Sequence, residues 1–225
     1  MFNAYRLANR GIKICAKGIK KSCRSGYNVI PNFYPEFIKD SNQGIKETLD
    51  AVKIYQDILG EDFWALEFNL SCPNMRKKVD DEMEFGLECV KRIKRVHPDL
   101  VLITKTSILH PIEFSQELER VGADVLHWVN TIPYNIIFPD KKSPLHAVGG
   151  GAVSGHPAFW PAFIHHAANR PKVRGSVIMG CGIGGLDDAE KYFGICANAV
   201  SCCTLAARDP AEACRIIEIF LKGEE

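Results

Sequence analysis

The 225-residue chain has no apolar run approaching the ~20 residues needed to span a bilayer, so no membrane-spanning helix is expected. It has no excess of either charge, with 28 Lys+Arg against 27 Asp+Glu and a formal net charge of +1. That balance argues against electrostatically driven binding to nucleic acid or an anionic membrane, which needs a basic excess or patch. No two cysteines have C-x-x-C spacing, and no histidine lies at zinc-ligand distance from two of them, so no metal site is expected. The opening MFNAYRLANRGIK has no uninterrupted apolar core of signal-peptide length. Low-complexity tracts and close repeats are also missing.

What is present is a globular composition, 46% hydrophobic and 24% charged. The nine cysteines are many for this length. Without a secretion signal they are expected to be reduced thiols of a cytoplasmic protein. Most, including Cys196, Cys202 and Cys203 in an apolar stretch, are expected to be small core residues. The length is a little short for a barrel of eight strand–helix units at ~250 residues.

Short apolar, β-prone runs alternate with helix-period segments. The runs cover residues 28–33, 64–70, 100–105, 125–130, 176–179 and 199–203. They are continuous rather than alternating, as expected of strands covered on both faces in a parallel sheet. Between them Ile45, Leu49, Val52, Tyr55 and Leu59 recur at three- and four-residue steps, and Met83, Leu87, Val90 and Ile93 do the same. Pro111 opens a further helix that Gly122 can stop. In the last helix Asp209 can cap, Pro210 takes the first position, and Ile216, Ile217, Phe220 and Leu221 form the expected buried stripe. An open doubly wound sheet and a closed (β/α)8 barrel both fit, and both place chemistry at the carboxyl ends of the strands.

The residues at those ends are unusual. Asn69-Leu70-Ser71-Cys72-Pro73-Asn74 puts a thiol between amides at a proline-stiffened strand exit. Lys105 ends the next strand, where burial is costly unless the ammonium meets an anion or an electron-rich ring. Asn130-Thr131 follows the fourth run. Two glycine-rich stretches, Gly149 to Gly155 and Gly180 to Gly185, each precede a helix, an arrangement that offers free N–H groups to an anion. Each residue has a structural reading of its own, as a loop tie, a snorkelling lysine or a turn. Together they suit a planar, polar, partly anionic ligand.

In these residues the chain resembles the dihydroorotate dehydrogenase family of FMN-dependent (β/α)8 barrels. Residues 69–74 match its N-[LI]-S-[CS]-P-N signature, and Lys105, Asn130-Thr131 and the two glycine stretches follow in the family's order. Residues 3–11 resemble its N-x-x-G-L-x-N-x-G loop. Cys72, rather than Ser, points to the class 1 enzymes, and Asn32 resembles a residue of the NAD-linked subtype. The resemblance implies one barrel domain over residues 1–225, with about six of the eight strand–helix units in this chain. It further implies a truncation before Met1 that removes a flavin-contacting Ser-Lys element.

The resemblance also implies roles. Cys72 would be the general base in the oxidation of dihydroorotate to orotate, an oxidoreductase step of pyrimidine biosynthesis. Asn3, Asn69, Asn74, Asn130 and Thr131 would bind the substrate. Asn32, Asn69, Lys105, Gly155, Cys181, Gly182, Cys203 and Thr204 would bind FMN. Implied partners are a second copy of the chain and an iron–sulfur/FAD electron-transfer subunit. The sequence departs from the family pattern at Arg6, Ala152, Ile183 and Cys203, each of which stands where the family prefers glycine. Two other readings stand beside this one. A dihydropyrimidine dehydrogenase-like enzyme would usually carry His at position 74 and a catalytic Cys further along, which residues 75–80 lack. A truncated or decayed barrel paralogue would have no catalysis at all.

Overall fold

The computed structural model describes residues 2–3, 10–35, 40–70, 79–148 and 151–222. Its elements run β1 (Phe2–Asn3), α1 (Ile12–Arg24), β2 (Asn32–Phe33), α2 (Ser41–Leu59), β3 (Ala65–Asn69), α3 (Val79–Val96), β4 (Val101–Lys105), α4 (Ile112–Arg120) and β5 (Val125–Trp128). They continue with β6 (Ile132–Pro133), α5 (Tyr134–Ile137), β7 (Ala152–Val153), α6 (Phe159–Asn169), β8 (Ser176–Gly180), α7 (Leu186–Gly194), β9 (Ala199–Ser201), α8 (Cys203–Arg208) and α9 (Pro210–Lys222). Each of the six apolar runs holds one strand of a parallel sheet with the order β2-β3-β4-β5-β8-β9.

The two-residue period of a strand divides the sheet into two faces. Leu66, Phe68, Leu102, Thr104, Leu126, Trp128, Val177 and Met179 are fully buried on the outer face, against the helices. Phe68 meets Phe85 of α3, and Trp128 stacks on His166 of α6 while its indole N–H donates to Ser115 of α4. The hydrophobic core therefore lies between sheet and helices. The alternate residues Glu67, Asn69, Ile103, Lys105, His127, Gly180 and Ser201 form the inner face.

That inner face is concave. In a flat sheet β2 and β9 would stand five strand spacings apart, about 24 Å at ~4.8 Å per step. Here a run of side chains joins them: Asn32 of β2 donates to Glu67, Glu67 meets the His127 ring, and His127 Nε2 lies 2.9 Å from Ser201 Oγ of β9. Two intervening side chains bridge the whole width only if the sheet curls as in a barrel wall. The crossing also explains Gly180 of β8, where a Cβ would collide with Ser201 Oγ. Among the described residues no strand pairs with the outer edge of β2 or β9.

Three findings differ from the sequence expectations. A second, antiparallel sheet, β1-β7-β6, pairs Phe2 with Val153 and Ile132 with Val153. Its two-residue strands are too short to show a period. In α9 Asp209 does cap, accepting from Glu212 N at 3.0 Å, but Ile217 and Leu221 are exposed. The stripe that packs inward is Ala213 and Ile216, both buried, with the half-buried Phe220, and positions 217 and 221 lie one residue, about 100°, further round the helix. The cysteines differ most. Of the described ones only Cys89 is buried; Cys196, Cys203 and Cys214 are exposed, and Cys202 is half-buried. Cys196 sits in the turn after α7 with a positive φ of 66°, and Cys203 opens α8 at the surface, so an apolar run does not place them inside. No helix among the described residues is long and apolar enough to cross a membrane.

Candidate active site

The carboxyl ends of β3, β4 and β5 form one row. Asn69 is in register with Lys105, and Lys105 with His127. Pairing continues past the strands, with Leu70 N donating to Lys105 O, Thr106 N to His127 O and Asn130 N to Thr106 O. This places Asn130 on the same rim as Asn69 and Lys105. Cys72 and Asn74 lie outside the described residues, immediately after the buried end of β3.

Lys105 meets the anion its burial demands. Its ammonium is 3.3 Å from Glu67 Oε1, and the two side chains are only 19% and 14% exposed. Burial alone would raise the Glu67 carboxyl, but the hydrogen bond and charge of His127, the charge of Lys105 and the amide of Asn32 outweigh it and hold it down to about 2. Burial pushes His127 downward, and Lys105 adds to this, against the opposing pull of Glu67. A neutral His127 that donates from Nδ1 to Glu67 can accept at Nε2 from the Ser201 hydroxyl, and one tautomer satisfies both contacts.

Glu67, His127 and Ser201 are not among the candidates named from the sequence. Glu67 carried a usable signal, being a carboxylate in a buried strand two residues before Asn69 and so on its face. Ser201 carried none, because its partner lies 74 residues away.

The remaining candidates gather around the two glycine stretches. The small sheet sets the Asn3 backbone opposite Ala152, in the strand before Gly155, and Thr131 leads directly into β6 beside them. Gly155 has a φ of 78° and closes this segment ahead of α6. Cys181 has a φ of 74°; burial pushes its thiol up to about 12, partly offset by a hydrogen bond with the Ile132 backbone. Tyr192 Oη fixes the same turn by donating to Cys181 O at 2.7 Å. Gly182, at φ 88°, packs against the Phe159 backbone at the start of α6, where a Cβ would collide. Gly184 N donates to the buried Asp188 carboxylate at 2.9 Å. A cavity of about 710 Å³ opens beside these turns, lined by Gly155, Gly184, Thr204, Lys191 and Arg208 among others. Cys203 is exposed at the start of α8, next to Thr204. The structure thus forms two groups: Asn32, Asn69, Lys105 and Asn130 along the sheet's inner rim, and Gly155, Cys181, Gly182 and Thr204 around the later turns.

No family model matches the chain. Individual proteins do. It is 30% identical over 226 residues to the dihydroorotate dehydrogenase B (NAD(+)) catalytic subunit of Bacillus cytotoxicus, across 97% of this chain and 69% of that protein. It is 28% identical over 228 residues to the same-named subunit of Porphyromonas gingivalis, across 97% of this chain and 70% of that one. Among solved structures, a dihydroorotate dehydrogenase from Eimeria tenella in complex with ferulenol superposes with a TM-score of 0.52 at 18% identity, covering 77% of this chain and 53% of that one. That likeness concerns the fold and accords with a curled parallel sheet bearing the helices on its outer face. The near-complete alignment to the catalytic subunits, at up to 30% identity, places the chain in the dihydroorotate dehydrogenase family of oxidoreductases.

Proposed function

We propose that residues 1–225 act as one FMN-binding domain that oxidises dihydroorotate to orotate in cytoplasmic pyrimidine (UMP) biosynthesis. The observation that carries this reading is the lateral pairing of Asn69 with Lys105 on the inner rim, three residues before Cys72, in a chain of this family. An amide and an ammonium side by side in a half-buried wall suit a polar heteroaromatic ring that gains negative charge during reaction.

Polar donors for FMN stand on the inner wall and at the glycine turns. Lys105, Asn69 and Asn32 stand on the inner wall, while Gly155, Thr204 and the cationic Lys191, Arg208 and Arg215 border the cavity beside the turns, which Asp187, Asp188, Asp209 and Glu212 also line. Backbone at Gly182 and Cys203 would complete the phosphate contacts beside Cys181. When bound, FMN supplies the hydride acceptor, at its N5. The protein's residues do the rest. Cys72 takes the proton from C5 of the substrate, a role open to a thiol whose pKa is brought near neutrality or whose proton is relayed. Asn3, Asn74, Asn130 and Thr131, with Asn69, hold the pyrimidine ring and its carboxylate. Lys105 would supply the positive charge that offsets negative charge developing on FMN. The relatives are named as catalytic subunits, which supports a separate electron-transfer partner and NAD as the final acceptor.

Purified protein should be yellow or take up FMN on titration, and dihydroorotate should bleach the flavin in the absence of air. Cys72→Ala should keep the flavin and lose the bleaching. A colourless chain indifferent to FMN would overturn this reading.

A further inference from the structure

The geometry points to Glu67 as the positioning residue for Lys105: it draws the ammonium back from the rim and sets how much uncompensated charge the inner wall presents, with His127 as the brace. The role at the flavin rests on the function proposed above. The holding itself rests on the side chains alone.

Three observations carry it. First, Glu67 is the only acidic side chain that contacts Lys105 among the described residues. Its carboxylate is shared, with Oε1 receiving Lys105 and Asn32 and Oε2 receiving His127. A carboxylate held from three directions has one orientation, and the ammonium beside it inherits that orientation. Second, the brace is itself anchored. The His127 side chain is only 6% exposed and reaches Ser201 on the far edge of the sheet through the gap that Gly180 leaves. The position of Lys105 is thereby tied to β2, β3, β5 and β9 rather than to its own strand only. Third, Lys105 and Glu67 stand one row apart, Lys105 opposite Asn69 and Glu67 opposite Ile103, so the ammonium is drawn back toward the amino end of its strand. Removing the carboxylate would free it toward the rim and leave its charge unbalanced there.

Two readouts test this on the full chain. In the apo protein, acetic anhydride labelling with mass spectrometry reports how freely each lysine side chain reaches the reagent. Glu67→Gln removes the ion pair that ties the Lys105 side chain down, so Lys105 should label about tenfold faster while exposed Lys53 is unchanged. Asn32→Ala removes only one support of the carboxylate and should give a smaller change in the same direction, which keeps the test open if Glu67→Gln fails to fold. In the FMN-loaded protein, Glu67→Gln should stabilise the anionic reduced flavin about tenfold, a rise of about 30 mV for a two-electron couple. Adding Lys105→Met should cancel that rise. Unchanged Lys105 labelling in both variants would overturn the assignment, as would an unmoved potential in a Glu67→Gln protein whose labelling had changed. If no form binds FMN, the flavoenzyme reading fails and the labelling alone decides the Glu67–Lys105 assignment.

Discussion

Gly182→Ala separates two accounts of the turn after β8. Gly182 has a φ of 88°, and a Cβ there would run into the Cα and N of Phe159. A left-handed conformation costs a non-glycine residue about 1–3 kcal/mol. Overpacking against atoms that cannot rotate away costs about 1–3 kcal/mol more, since the obstacle is backbone at the start of α6 rather than a flexible side chain. Taken together the loss is about 4 kcal/mol, or a fall in Tm of about 8–16 °C for a chain of this size. Urea unfolding followed by far-UV circular dichroism should show a lower midpoint with little change in slope. Gly194→Ala is the control. Gly194 ends α7 without a positive φ, and a Cβ there meets open space. The same substitution should be neutral or stabilise by about 0.5–1 kcal/mol. If Gly182 served only to admit a phosphate, its alanine variant would lose FMN affinity while melting normally. A Gly182→Ala protein with wild-type Tm would therefore refute the packing argument.

Two further outcomes follow from buried titratable groups. Burial pushes His110 down to about 4 and His166 down to about 3, and lowers His127 and His165 as well. The unfolded chain takes up protons near pH 6.5 that the folded chain refuses, so these histidines should erode stability as pH falls from 6.5 toward 4. Glu67, held down to about 2, adds a loss below pH 4.5 in the same direction, and urea midpoints measured across that range check both. Thiol labelling of the native protein should modify exposed Cys196, Cys203 and Cys214 first. Cys89, buried and pushed up to about 12, should react only after unfolding.

What was legible in the sequence was local. Six apolar runs announced six strands because a strand covered on both faces must be apolar along its whole length. Asp209-Pro210 announced the start of α9 because capping depends on neighbours in the chain. Lys105 announced that it needed a counter-charge, because a buried ammonium is costly wherever it occurs. The exposed Cys203 and Leu221 show where this kind of reading stops, since an apolar residue takes its burial from what packs against it.

The chain's own residues thus determined the element order, the parallel sheet and the rim on which Asn69, Lys105 and Asn130 stand. Only the tertiary structure decided which charge answers Lys105. That answer depends on the curl of the sheet, which brings Glu67, His127 and Ser201 together across its concave face, through the space that Gly180 leaves open. Contacts between residues 60 and 74 positions apart are set by strand order and curvature, and neither is a property of any local stretch of sequence.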